Sequence, residues 1–427
     1  MEHNYFLICK DVIQRIILEE LPFRVALESE GKKHKLEASD RALISAIVGA
    51  ELRHHLLFSY LVDAKYIEKS FEEKATLYIL LSNQLFAKKI NEKEILAAAM
   101  DYLKSIDSEL SISMVKDFLL DNNDVSNLIK DEQDHNSLKY LSLRYNTPIW
   151  LIKMWQKHYG KGLTRHILKA NTHLPLSVMR VNTLQNDENS LLDDYHHFSK
   201  SPLKNMVFYI AKEPLRKNER YLKGDIFPSN LALKYLLDDF DIYPYEDIAI
   251  YQGVNGENLF LEVALKASLE MKCELMFRSG KDYVEYHKVL ERFDLSKTMF
   301  TQIKGEFVTH ISKKVNVFFL YAESSSFQNI RTSPDYLLHF KQESLDQHIQ
   351  REKALLNDAK DYVEEDGKLI YIVNTLSKKE SVNIINEFLK ENPNFMLDTQ
   401  KQFFPCDDFN STLYYAILRR KGDLQSD

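Results

Sequence analysis

Pro22 is the only proline before Pro148, and between them apolar residues recur three and four positions apart. A proline inside a helix removes a backbone donor and clashes with the preceding turn, so its absence over such a length permits a succession of helices. The segment DRALISAIVGAELRHHLLFSYLVDAKYI predicts one long helix with Ser39 or Asp40 as its N-cap. Further helices are predicted at about 72–89, 92–105 and 112–121. Residues 1–135 are therefore expected to form an all-α bundle. From about 171 the pattern changes. VMRVNTL and NMVFYIAK are short β-branched runs separated by the helix-like NSLLDDYHHF, so 136–225 is expected to hold linker helices and a small mixed α/β unit. From 226 to 427 apolar strands alternate with helices, which predicts a parallel sheet covered on both faces. A chain of 427 residues suits two or three such domains at roughly 150 residues each.

Charge is unevenly distributed along this plan. Residues 1–138 carry 17 Lys+Arg against 24 Asp+Glu, whereas residues 139–186 carry 8 Lys+Arg and no acid. One residue in seven of the whole chain is acidic, so a 48-residue window without a carboxylate is a feature to explain. Phosphate binding favours such a window, because nearby carboxylates would cancel the attracting field. Lys153, Lys157, Lys161, Arg165 and Lys169 recur every four residues, which places neighbours on one helix face. Gly160 and Gly162 are expected to divide that run into two helices. A solvated helix face is the competing reading, but ordinary solvated faces mix both signs. Trp150 and Trp155 are expected in the core of this segment.

Other features exclude whole classes of protein. No stretch of about 18 apolar residues exists, so no membrane span is expected. The N-terminus lacks the layout of a signal peptide. Cys9, Cys273 and Cys406 are too far apart to suggest a disulfide framework or a zinc site, so a reducing, cytoplasmic setting is expected. His54, His55, His158 and His166 have no ligand-like spacing and are read as surface or RNA-facing, with no metal site expected. Glycine is 11 of 427 residues, a poor supply for nucleotide-binding turns.

LSLRYNTPIWLIKMWQKHYG followed by ILKANTHLPLSVMRVNTL resembles the opening segment of the RsmB-type 16S rRNA cytosine-C5 methyltransferases. Thr147, Pro148, Trp150, Leu151, Tyr159, Gly160, Pro175, Arg180, Val181 and Asn182 match that family's signatures in order. The helical region before them, through Asp40, Arg41 and VGAELRH, is similar to the family's NusB-like RNA-binding domain. TLYYAILRRK is similar to its final aromatic-rich strand. The resemblance covers nearly the whole chain. It implies an all-α NusB-like bundle, a small mixed α/β RNA-recognition unit, and a Rossmann-like class I methyltransferase domain using S-adenosylmethionine.

The family's reaction needs two thiols. One adds as a thiolate to C6 of cytosine, making C5 nucleophilic enough to take a methyl group, and the second assists breakdown of the adduct. Sulfur serves because it is far more nucleophilic at neutral pH than an unactivated hydroxyl. Both stations align without gaps. VFFLYAESSSFQNIRTSPD aligns through Ala322, Ile330, Arg331, Pro334 and Asp335, which puts Tyr321 at the family's Asp, Glu323 at its Pro and Ser324 at the first Cys. DGKLIYIVNTLS aligns through Gly367, Leu369 and Tyr371 and puts Asn374 at the second Cys. In the cofactor turn IAIYQGVNGENLF, Gly253 and Gly256 remain, but Ala249 or Ile250 replaces the acid. Where an acid normally grips the ribose hydroxyls, MFRSGKD offers Arg278 and Ser279. The run SSS is no nucleophile elbow, so Ser324 reads as a loop serine.

The expected function is RNA binding, to rRNA or a structured ribosomal precursor, with cytosine methylation lost. The RNA-binding residues are expected to be Arg144, Lys153, Lys157, Lys161, Arg165, Lys169 and Arg180. No catalytic residue is assigned, and Gly253 and Gly256 read as a vestigial cofactor turn. One alternative is an active S-adenosylmethionine-dependent RNA methyltransferase with altered chemistry. Another is a protein-interaction module that binds a partner through the N-terminal bundle.

Overall fold

A computed structural model describes residues 3–124, 135, 137–243, 246–253, 259–266, 272–277, 288–293, 299–304 and 313–422. The chain forms two compact units, Met1–His173 with Asn329–Lys341, and Leu174–Gln328 with Gln342–Asp427.

The first unit is helical. Its helices are α1 (Tyr5–Ile17), α2 (Phe23–Lys33), α3 (Ala38–Tyr66), α4 (Phe71–Ser82), α5 (Glu92–Ser105), α6 (Ile112–Asp121), α7 (Leu138–Tyr145) and α8 (Ile149–Asn171). Phe6, Ile13, Ile44, Leu52, Phe58, Leu77 and Phe118 meet in one apolar core. Burying a side chain of that size stabilises the fold by about 1.5–3 kcal/mol relative to exposure. Starts are fixed by side chains. Ser70 and Glu73 form a reciprocal capping box at α4, satisfying two donors that the first turn leaves open. The start of α3 corrects the sequence reading. Its cap is Glu37, and Asp40 is the third helical residue, accepting from the Glu37 N–H at 3.1 Å. The expected division of the basic helix is present at Gly160 (φ 78°, ψ 166°), a backbone conformation that a residue with a Cβ adopts only under strain. Each half of α8 therefore has its own basic face.

The second unit contains two sheets. The smaller has the order β2–β3–β1–β4, built from β1 (Ser177–Val181), β2 (Phe198–Lys200), β3 (Met206–Tyr209) and β4 (Ile226–Pro228), with all pairings antiparallel. Met179, Val181, Leu191, Phe198, Val207 and Ile226 form its core. The larger contains β5 (Ile248–Gln252), β6 (Lys272–Phe277), β7 (Met299–Lys304), β8 (Val315–Tyr321), β9 (Val363–Asn374), β10 (Phe395–Gln402) and β11 (Leu413–Arg420), in the order β10–β11–β9–β8–β5–β6–β7.

Strands β5 to β9 pair in parallel, as expected. The exception is β11, which runs antiparallel to both β9 and β10. A connection as short as 403–412 can return a chain only beside its own strand and in the opposite direction, whereas a parallel neighbour needs a long crossover. Side chains alternate between two cores. Val317, Phe319 and Tyr321 face one, and Phe318 and Leu320 face the other. Burial on both faces explains why VNVFFLYA reads as a continuous apolar run.

Candidate functional site

Ligands of open α/β sheets sit beyond the carboxyl ends of the strands, where the strand order reverses. Here that point lies between β5 and β8, whose last residues Gln252 and Tyr321 are paired. Gly253 follows directly, and its N–H donates to the Tyr321 carbonyl at 2.9 Å. A Cβ at Gly253 would stand 2.8 Å from that carbonyl and 2.9 Å from the Tyr251 ring, so close packing alone requires glycine there. Gly256, Arg278 and Ser279 lie outside the described residues.

Three of the four replaced motif positions are linked through Asn374. Tyr321, Ser324 and Asn374 are all buried. Ser324 Oγ donates to the Asn374 carbonyl at 3.1 Å and accepts from the Ser326 N–H at 3.3 Å. Asn374 Nδ2 donates to the Tyr321 hydroxyl at 2.9 Å. A hydroxyl whose proton goes to a backbone carbonyl has no base to activate it, so this serine is not poised as a nucleophile.

Behind it lies a buried acid pair that the sequence reading missed. Glu380 accepts from Ser325 N at 2.6 Å and from Ser325 Oγ at 2.7 Å, and also from the Thr375 hydroxyl. These bonds tie the loop after β8 to the loop after β9. Burial raises the Glu380 carboxyl, against the hydrogen bonds that favour its charged form. Glu352 is raised well above the ordinary range by burial and then by the charge of Glu380. One sign of Glu352 was available. In QESLDQHIQREKALLNDA it falls in register with Leu345, Ile349, Leu356 and Ala359, on the stripe that packs inward. Glu380, in LSKKESV, gives no such sign.

The cysteines supply no activated thiol. Cys9 and Cys273 are buried, and burial pushes both thiols up. Cys406 is exposed in the loop after β10, and partial burial and Asp407 raise it too. Nor does the cofactor turn carry its acid, since β5 is Ile-Ala-Ile-Tyr-Gln and is buried throughout. Among the described residues, β5 and Gly253 offer no carboxylate for the S-adenosylmethionine that the resemblance implies.

The basic residues separate into two groups. Arg144, Lys153, Lys157, Lys161, Arg165 and Lys169 are exposed, while Trp155, Ile167 and Leu168 of α8 are buried. Trp150 is half-buried and stacks on Phe340. Arg180 differs from the rest. It is 7% exposed, donates from Nε to Glu262 at 2.9 Å, and donates from Nη1 to the carbonyls of Val181 and Asn205, each at 2.9 Å. Its guanidinium is committed inside the second unit, so it offers no charge to a ligand there. Asn182 likewise donates to the carbonyls of Gly224 and Phe293. Of the histidines, His55 binds Glu51 and His54 stacks on Phe86. Asp11, Glu30 and His34 bring ligand atoms within 4.8 Å of one another, but Glu30 is already paired with Arg15 at 3.2 Å and Lys33 at 2.9 Å. Among the described residues no helix is long and apolar enough to cross a membrane.

A helical N-terminal region, a small antiparallel α/β unit and a Rossmann-like sheet make up the fold. Residues 147–197 match the family described as Methyltr_RsmF/B-like, ferredoxin-like domain. The chain is 21% identical over 396 residues to the "Probable ribosomal RNA small subunit methyltransferase B" of Bacillus subtilis (strain 168), covering 87% of this chain and 85% of that protein. Among solved structures, PH0851 superposes with a TM-score of 0.73 at 16% identity, over 98% of this chain and 100% of that one. NSun6 from Pyrococcus horikoshii gives a TM-score of 0.58 at 12% identity, over 65% and 99% respectively. The resemblance to the RsmB-type methyltransferases therefore extends over most of the chain, in sequence and in fold.

Proposed function

We propose that this chain is an RNA-binding relative of the rRNA cytosine-C5 methyltransferases that has lost the two-thiol reaction. The observation that carries the proposal is the state of the two catalytic stations. Ser324 and Asn374 stand where thiols are required, and both are held in buried hydrogen bonds, Ser324 to the Asn374 carbonyl and the Asn374 amide to the Tyr321 hydroxyl. RNA binding is supported by the exposed bases of α8 and by the similarity to a probable rRNA small subunit methyltransferase. The RNA is rRNA or a structured ribosomal precursor, and Lys153, Lys157, Lys161, Arg165 and Lys169 meet its phosphates. Arg180 supports the small sheet and binds no phosphate.

A second reading is methyl transfer by a thiol from elsewhere. Pairing of Leu413 with Asn374 brings the loop of Cys406 to the same end of the sheet. Its raised thiol argues against it, because a nucleophile needs the thiolate.

The test is binding of structured RNA by the full chain across a salt series. Removing one cation that neutralises a phosphate flattens the log–log salt slope by about 0.7–0.9. The triple variant Lys153→Glu, Lys157→Glu, Lys161→Glu is expected to bind about tenfold more weakly or worse and with a shallower slope. Parental affinity in that variant would reject the role assigned to α8.

A further inference from the structure

The turn between α7 and α8 repairs a break in another helix. α3 leaves helical geometry at His54 (φ −127°, ψ 15°), which interrupts its ladder of backbone hydrogen bonds. Asn146 fills the interruption. Its Oδ1 accepts from the Leu56 N–H at 3.0 Å, and its Nδ2 donates to the Leu52 carbonyl at 2.8 Å. It reaches both because it is the left-handed residue (φ 47°) that closes α7. The repair places Arg144 beside the broken turn that carries Arg53 and His54.

These groups open onto a cleft of about 70 Å³, whose polar lining includes Arg53, His54, Arg144, Asn146, Asn171 and Ser333. That volume is several times what one ordered water needs. Every lining residue belongs to the first unit, and no carboxylate is among them. Arg53 donates to the Gly49 carbonyl at 3.3 Å, and neither arginine has an acidic partner among the described residues. Asn171, at the end of α8, is only 8% exposed, yet its amide nitrogen and oxygen are both shut away without a hydrogen-bond partner. A buried polar group left in that state costs about 1–3 kcal/mol, so its presence beside two guanidinium groups points to a missing polar ligand. The His54 ring is fixed by stacking on Phe86, with centroids 3.7 Å apart.

We propose that this cleft binds a phosphate oxyanion, held by Arg53 and Arg144 and positioned by the amide of Asn171. Paired guanidinium groups suit this ligand because their fixed donors match the spacing of phosphate oxygens. Two sources share that chemistry: a phosphodiester of an RNA strand, and free inorganic phosphate. The first source rests on the function proposed above, and the second does not.

The experiment is titration of the full chain with inorganic phosphate, read calorimetrically and by the NMR resonances of the His54 ring, with chloride as control. RNA binding is measured in parallel. Saturable phosphate binding that moves the His54 resonances is expected, weakened about tenfold or more by Arg53→Gln or Arg144→Gln. Asn171→Asp keeps the shape of the side chain and supplies a carboxylate in place of the anion, so it should abolish phosphate binding and raise Tm. If the arginine variants also weaken RNA binding, the occupant is a phosphodiester. If RNA binding is untouched while phosphate binding is lost, the occupant is free phosphate. Phosphate binding in a chain that binds no RNA would defeat the proposed function and leave this site standing. Unmoved His54 resonances at millimolar phosphate, or phosphate binding indifferent to all three substitutions, would overturn it.

Discussion

Replacing Arg180 by leucine separates a residue that holds the fold from one that meets RNA. Its guanidinium serves the Glu262 carboxylate and two backbone carbonyls, and the paired side chains are 8% and 1% exposed. Leucine strands the carboxylate in the interior, where the Ser229 hydroxyl still donates to it. Removing one member of a buried pair costs about 3–5 kcal/mol, because the other charge stays desolvated. The second unit has about 240 residues. At that size each kcal/mol corresponds to about 2–4 °C, so its melting should fall by about 6–20 °C. Adding Glu262→Leu removes the stranded charge, and the double variant should regain much of the loss. Calorimetry supplies the melting temperature, and RNA affinity is measured well below the transition. The expected result is a lowered Tm with parental RNA affinity. A variant that melts like its parent but binds RNA weakly would refute the assignment.

Two further substitutions probe the second unit near the ends of β5 and β8. Glu352→Gln tests the buried acid pair. A carboxyl raised in the folded state favours folding below the ordinary glutamate range of about 4.3 and costs stability as pH climbs above it. The variant should therefore be more stable than its parent at neutral pH, with the difference shrinking as pH falls, and parallel stability profiles would contradict the raised carboxyl. Gly253→Ala forces a Cβ against the Tyr321 carbonyl and the Tyr251 ring, and should cost about 1–3 kcal/mol in thermal or urea unfolding. Unchanged stability would show that the strands have room to separate.

Local patterns carry much of the architecture. Periodicity alone predicts the helices 92–105 and 112–121 with the bounds they have, and α8 breaks at Gly160 as its glycines suggest. Helical periodicity and glycine geometry depend on neighbours within a turn or two, and a sequence displays them directly. Relations set by distant residues are less visible. Arg180 lies in an acid-free basic window, and only the approach of Glu262 shows its charge to be spent inside the fold. The direction of β11 depends on the strand it pairs with, so an apolar run does not disclose it. The stations at Ser324 and Asn374 can be located by alignment, but their meeting at the Asn374 carbonyl requires the register of β8 and β9. The cleft at Arg53 and Arg144 joins separate stretches of chain, and its key residue, Asn146, reads in isolation as an ordinary helix-ending asparagine.

The proposed function requires RNA recognition without pyrimidine C5 chemistry. Its most direct measurement supplies the full chain with structured rRNA and S-adenosylmethionine carrying a labelled methyl group, and follows both complex formation and label in the RNA. A salt-sensitive complex and no label above a protein-free control are expected. Label appearing at cytosine C5 in proportion to the protein would contradict the proposed function.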